Sequence, residues 1–148
     1  MSDKLENQEQ CFVDSNIWLY ALIKSGETDE KHSKAKSLIS AKEEVIAVST
    51  QVINEVCVNL LRKSIFSEEQ IQALIASFYK KYKVIDNNQE VLLQASNLRK
   101  KYIFSFWDSL IVASSLQADA RILFSEDMQD GLIVSEKLEI INPLKSKN

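Results

Sequence analysis

Four carboxylates stand where side-chain chemistry could be done: Asp14, Glu55, Asp108 and Asp127. Asp14 closes the short apolar run Cys11-Phe12-Val13, and Asp127 follows Leu123-Phe124-Ser125-Glu126. Glu55 lies on the polar side of a segment whose apolar face is Val52, Ile53, Val56, Cys57, Leu60 and Leu61. Asp108 stands just ahead of Leu110-Ile111-Val112-Ala113. Carboxylates with few soft ligands beside them favour hard, oxygen-loving cations, which keep several waters and bridge phosphate oxygens. Such an ion can generate a nucleophile from water and stabilise charge on a phosphodiester.

Each acid also has an ordinary structural alternative. Asp14 can cap the helix that follows it. Glu55 can be a solvated glutamate that pairs with Arg62 or Asn59. Ser105-Phe106-Trp107-Asp108 fits a capping box with aspartate in place of Glu or Gln. Against this, the helix that Asp108 opens is apolar nearly all round, and a carboxylate packed there is costly to desolvate without a cation or several donors. Ser125-Glu126-Asp127-Met128-Gln129-Asp130 can be an acidic turn. Within it Asp127 is the best-placed ligand, Asp130 an auxiliary, and Glu126 is expected to point to solvent.

Other chemistries are poorly supplied. His32 is the only histidine, set in a polar segment beside lysines, which leaves a nucleophilic triad or a zinc site without ligands. Cys11 and Cys57 sit inside apolar runs and are expected as buried thiols. No phosphate-binding loop or GxGxxG occurs. Trp18 and Trp107 are expected in the core rather than as base-stacking platforms.

The acids need a scaffold, and the pattern supplies an alternation of strands and helices. Strands are expected at 11–13, 45–48, 83–85, 121–124 and 138–141. Helices are expected after Asp14-Ser15-Asn16, over 28–41, after Ser49-Thr50, after the capping box Ser67-Glu68-Glu69-Gln70, from Asn87 with Glu90 to about Lys101, and over 106–118. This is an α/β domain with a largely parallel five-stranded sheet covered on both faces. Binding sites in such sheets form outside the carboxyl ends of the strands, where strand order reverses. Asp14 ends the first strand and Asp127 lies just past the fourth.

Two glycines and one proline leave little room for a linker. A polar tail over 1–10, a domain over 11–144 and a short tail over 145–148 are expected. No apolar stretch approaches the ~20 residues that span a bilayer, so a cytoplasmic chain without membrane contact is expected. The net charge of −3 argues against binding nucleic acid through a globally basic surface. Local clusters remain at Lys80-Lys81-Lys83, Arg99-Lys100-Lys101, and Lys145 with Lys147. Their ordinary reading is solvated helix ends and a tail.

The order and setting of the acids resembles the PIN-domain family. The resemblance rests on Phe12-Val13-Asp14-Ser15-Asn16, on Val52-Ile53-Asn54-Glu55, on Phe106-Trp107-Asp108-Ser109-Leu110-Ile111-Val112-Ala113-Ser114-Ser115 and on Leu123-Phe124-Ser125-Glu126-Asp127. It implies a three-layer α/β/α sandwich, Mg2+ or Mn2+ as cofactor, and endonucleolytic cleavage of RNA that leaves a 5′-phosphate and a 3′-hydroxyl. Asp14 and Asp108 would lead the metal coordination, with Asp127 completing it directly or through water. Glu55 would orient or deprotonate the attacking water, with Asn16 and Ser125 as supporting donors. Arg99, Lys100 and Lys101 are the candidate RNA contacts. Short single-domain bacterial members resemble VapC toxins, which dimerise and are held inactive by an antitoxin encoded beside them. Many relatives carry a second acid and a Phe soon after the last Asp, where this chain has Met128-Gln129-Asp130-Gly131, so a place for Asp130 in the metal shell stays open. Two rival readings are a receiver-like magnesium-binding signalling domain with Asp86 as phosphoacceptor, and a PIN fold that binds RNA or protein without cutting.

Overall fold

The apolar triplet Cys11-Phe12-Val13 forms β1 (Cys11–Val13), buried along its whole length at the middle of one sheet. The computed structural model describes residues 9–145. Residues 1–8 and 146–148, which take in most of the expected N-terminal tail and Lys147, lie outside the described residues. After β1 come α1 (Ser15–Leu22), α2 (Asp29–Lys42), β2 (Ile46–Ser49), α3 (Thr50–Arg62) and α4 (Glu68–Lys81). Then follow β3 (Lys83–Ile85), α5 (Gln89–Lys101), α6 (Phe106–Gln117), β4 (Ile122–Phe124), β5 (Ile133–Val134) and β6 (Leu138–Ile141).

Helix starts follow the expected cap chemistry. Ser49 Oγ accepts from Val52 N at 3.3 Å. Ser67 and Gln70 form the reciprocal capping box at the head of α4. The cap of α5 is Asn88 rather than Asn87: its Oδ1 accepts from Val91 N at 3.0 Å, while Asn87 Oδ1 accepts from Ser114 Oγ at 3.4 Å.

The strand order is β3-β2-β1-β4-β6-β5, parallel except for the β5–β6 pair. The sheet therefore has six strands where five were expected. β5 is only two residues long and pairs Ile133 with Glu139 and Val134 with Leu138. Its turn runs through Ser135 and Glu136 at φ 53 and 59, with Lys137 N donating to Val134 O at 3.0 Å. Positive φ at both central residues is a turn geometry usually signalled by Asn-Gly or Asp-Gly, and here it falls within three residues, Ser135, Glu136 and Lys137, between the paired Val134 and Leu138.

Crossovers between parallel strands are right-handed. The β1-to-β2 and β2-to-β3 connections step in one direction and place α1 to α4 on one face; the β3-to-β4 connection steps back past β1 and places α5 and α6 on the other. The packing agrees: α1 contacts α2 and α3, α3 contacts α4, and α5 and α6 pack on each other. The result is the expected α/β/α sandwich. Its core joins Phe12, Val13, Val48, Leu123 and Ile140 from the sheet to Ile17, Val52, Leu60, Val91 and Val112 from the helices. The order reverses between β1 and β4, so the crevice at their carboxyl ends is the natural binding position.

Candidate metal centre

Asp14 sits in that crevice. It is the N-cap of α1, 7 % exposed, and its two oxygens are held from different elements. Oδ1 accepts from Ser15 N at 2.8 Å and Oδ2 from the buried Ser125 Oγ, also at 2.8 Å. Burial lifts the Asp14 pKa from 3.8 to about 6; the Ser125 hydroxyl and Ser15 amide oppose the rise, and the charges of Glu55 and Asp108 add to it. Acids on α3 and α6 thus both act on the carboxylate at the head of α1.

Glu55 is half-buried on α3. Its Oε2 accepts from Ser15 Oγ at 3.2 Å and its Oε1 from Gln51 Nε2 at 3.1 Å, so the residue after Asp14 links the two carboxylates. Neither expected surface partner takes the carboxylate: Asn59 Nδ2 donates to the Glu55 backbone oxygen at 2.8 Å, and among the described residues Arg62 forms no ion pair with it. At Asp108 only half of the capping box exists. Ser105 Oγ accepts from Asp108 N at 3.1 Å, but among the described residues the Asp108 carboxylate meets no hydrogen-bond partner. It is half-exposed at the head of α6, while Ser109 to Leu116 behind it are buried.

The loop after β4 brings in the fourth acid. Asp127 is exposed, and its Oδ2 accepts from Asn16 Nδ2 at 3.0 Å. Asn16 Oδ1 in turn accepts from Glu126 N at 3.4 Å, so one amide ties the loop to α1. Glu126 does not point freely to solvent. Lys31 Nζ donates to it at 2.6 Å and Tyr20 Oη at 2.8 Å, which clamps the loop to α1 and α2. Asp130 is turned to the C-terminal segment, accepting from Asn142 N at 2.8 Å and Lys145 Nζ at 3.4 Å. The Asn142 amide chiefly holds its pKa below the ordinary value.

The candidate RNA contacts divide. Arg99 Nη1 donates to Ser109 Oγ at 2.6 Å and its guanidinium lies 4.5 Å from the centre of the Phe106 ring, whereas Lys100 and Lys101 are exposed. His32 is half-buried, with Nδ1 2.8 Å from Tyr20 O, and braces α1 against α2. Cys11 and Cys57 are buried free thiols. Trp18 is in the core, donating from Nε1 to Val13 O at 3.0 Å. Trp107 is not in the core: it is 63 % exposed. It begins a helix whose apolar run starts only at Leu110, so the first turn projects beyond the packed layer. Asp86 ends β3 at an edge of the sheet, and the order around β1 is not the 2-1-3-4-5 arrangement of receiver-like folds.

Among the described residues none of Asp14, Glu55, Asp108 or Asp127 is ion-paired, and no three Asp, Glu, His or Cys side chains lie close enough together to hold a metal ion between them. The donor set still fits a hard divalent cation. Magnesium keeps several waters and is commonly held by one or two carboxylates rather than by an all-protein cage. Asp14 is a buried carboxylate with the charges of Glu55 and Asp108 acting on it, an unfavourable setting that a bound cation would relieve. A cleft of about 540 Å³, lined by Thr50, Gln51, Asn54, Glu55, Asn87 and Trp107, opens beside Glu55. A larger hollow of about 770 Å³ along α2, lined in part by Lys24, Asp29, His32 and Lys36, contains none of the four acids.

A mostly parallel sheet of order β3-β2-β1-β4-β6-β5 with helices on both faces places the chain among the three-layer α/β/α folds. The PIN domain model matches residues 11–129, and the chain belongs to the PIN-domain family. No curated protein sequence matches significantly. Solved structures that resemble the fold include a toxin–antitoxin complex from Klebsiella pneumoniae, 18 % identical over 90 % of this chain and 98 % of that one, with a TM-score of 0.69. Another is VapC20 of Mycobacterium tuberculosis, a sarcin-ricin loop cleaving toxin, 22 % identical over 80 % and 92 %, TM-score 0.61. A third is VapBC2 of Rickettsia felis bound to a promoter DNA fragment, 19 % identical over 79 % and 87 %, TM-score 0.57. Among the described residues no helix is long and apolar enough to cross a membrane.

Proposed function

We propose that residues 11–144 form a divalent-metal-dependent endoribonuclease that acts as the toxin of a bacterial toxin–antitoxin pair. The observation that carries this reading is Asp14: a buried carboxylate at the switch point, close enough to Glu55 and Asp108 to feel their charge, with no basic partner among the described residues. Asp14 and Asp108 would hold Mg2+ or Mn2+, with Asp127 completing the set. When bound, the ion supplies Lewis-acid stabilisation of charge on the phosphodiester.

The chain's own groups have separable tasks. Glu55, oriented by Ser15 and Gln51, positions the attacking water and accepts its proton. Ser125 keeps Asp14 ionised and fixed. Asn16 holds Asp127 to the head of α1. Cleavage would leave a 5′-phosphate and a 3′-hydroxyl. The three solved structures support the biological setting, because two are toxin–antitoxin complexes and the third is an RNA-cleaving toxin. By that likeness one partner would be an antitoxin; a second copy of this chain is the other partner we propose.

Expression in a host without any antitoxin tests the role. The parent should arrest growth, and Asp108→Asn should abolish the arrest at equal expression. Asp119→Asn is the control, since its exposed pair with Lys137 lies outside the cluster and Asn tolerates its φ of 58. Undiminished arrest by Asp108→Asn would remove the catalytic assignment, and a harmless parent would remove the toxin role.

A further inference from the structure

Trp107 and Phe106 are 63 % and 54 % exposed, although the helix they open is otherwise among the most buried in the protein. They are nevertheless held in place. Arg99 is anchored to Ser109 and lies over Phe106, and the Phe106 ring meets Trp107 edge-on at 5.3 Å. An indole propped in this way offers stacking area at little further cost in side-chain entropy.

The same indole borders the 540 Å³ cleft that reaches Glu55, within the roughly 300–1,000 Å³ typical of small-molecule sites. One amide spans the two walls: Gln51 Nε2 donates to Glu55 Oε1 at 3.1 Å and to Trp107 O at 3.4 Å. With Nε2 directed at two acceptors, Gln51 Oε1 meets no donor although it is shielded from solvent, the sole such side-chain atom among the described residues. It is an unpaired acceptor in the cleft wall. Asn54 and Asn87 add further amides, and no cation lines the cleft. An aromatic wall with neutral donors and acceptors suits the face and edge of a nucleobase better than it suits a phosphate.

We propose that Trp107, with Gln51, Asn54 and Asn87, forms a stacking subsite for an unpaired nucleobase next to the phosphodiester to be cut, an inference that rests on the ribonuclease function proposed above. Stacking on Trp107 tolerates any base, and the amides read its edge, so the cleft selects single-stranded loops over duplex RNA.

Short single-stranded oligoribonucleotides are titrated into Asp108→Asn protein with Mg2+ while tryptophan fluorescence is followed, Trp18 being buried against Phe78 and Tyr82. RNA should quench the signal, and by anisotropy of end-labelled RNA, which needs no protein fluorophore, adding Trp107→Ala should weaken binding about tenfold to a hundredfold, with most of it recovered by Trp107→Phe. In the catalytically intact chain, Trp107→Ala should raise KM by a similar factor and leave kcat little changed. Asn54→Ala and Asn87→Ala should alter the base preference at the cut. Unchanged binding and KM in Trp107→Ala would overturn the subsite and leave the nuclease reading standing. RNA binding that depends on Trp107 in a parent that cuts no RNA would do the reverse. Absence of any binding, or a change of oligomeric state on Trp107→Ala with RNA binding intact, would also overturn the subsite; the second result would assign the ring to a protein interface.

Discussion

Ser125 Oγ donates a 2.8 Å hydrogen bond to Asp14 Oδ2, joining the ends of β4 and β1 across 111 residues of sequence. Both residues are buried, so the hydroxyl works in a low-dielectric setting and favours the ionised form of Asp14. Ser125→Ala should push the Asp14 pKa above its present value of about 6 and cost about 1.5–3 kcal/mol at pH 7, the range for a hydrogen bond to a charged group. At pH 4 the carboxyl is protonated and the cost should be smaller. Urea unfolding at the two pH values checks this, and an equal loss at both would place the effect in packing.

Asp14 also makes stability depend on pH. Its folded pKa of about 6 lies above its ordinary 3.8, so the folded state holds the proton more tightly. The contribution is fully present below about pH 4 and is lost as pH rises through 6, an effect of roughly 3 kcal/mol by linkage. Asp14→Asn should therefore make the metal-free protein more stable at pH 7 and flatten this part of its pH profile. Thermal melts from pH 4 to 8 in EDTA would show it; a metal-free Asp14→Asn protein less stable than the parent at pH 7 would contradict it.

A divalent ion should reverse that penalty. Mg2+ or Mn2+ should raise the melting temperature progressively, equivalent to about 2.7 kcal/mol at a hundred times the dissociation constant. The double substitution Asp14→Asn, Asp108→Asn should lose most of the response, whereas Asp130→Asn should keep it, because Asp130 is engaged by Asn142 and Lys145. Calorimetric titration of Mn2+ measures the difference, and a response lost in Asp130→Asn would bring that residue into the metal shell.

The basic cluster on α5 should separate into two behaviours. Arg99→Ala breaks the bond to Ser109 and the contact with Phe106, and should destabilise by about 1–2 kcal/mol. Lys100→Ala with Lys101→Ala should stay within about 0.5 kcal/mol per site of the parent. If the two lysines touch phosphates, their loss should make the salt dependence of single-stranded RNA binding shallower by about 0.7 per contact in the log–log slope. An unchanged slope would remove them from the RNA path.

Asp14 and Asp108 stood out in the sequence because they sit at element boundaries that local chemistry marks, and Glu55 because it interrupts an apolar helical pattern. Asp14 ends an apolar triplet, Glu55 falls off an apolar helical face, and Asp108 follows a Ser cap; the structure brings these three within electrostatic range. The alternation of strands and helices likewise carried the sandwich. What was missed depends on contacts between distant residues. Glu126 looked solvent-facing because nothing nearby announces Lys31 and Tyr20. Trp107 was expected in the core on residue type alone, since exposure of a first helical turn is set by where the neighbouring layer ends. β5 escaped because a two-residue strand carries no alternation and its turn uses Ser135-Glu136, residues that rarely signal positive φ.

The most direct measurement follows end-labelled single-stranded RNA incubated with purified protein in Mn2+, in Mg2+ and in EDTA, beside the Asp14→Asn, Glu55→Gln and Asp108→Asn variants. The expected result is internal cleavage with 5′-phosphate and 3′-hydroxyl ends in either metal, none in EDTA, and a loss of at least about a hundredfold in each folded variant, comparable to removing a principal source of transition-state charge stabilisation. Cleavage that persists in EDTA, or that survives in Asp14→Asn and Asp108→Asn at the parent's rate, would contradict a metal-dependent nuclease built on these carboxylates.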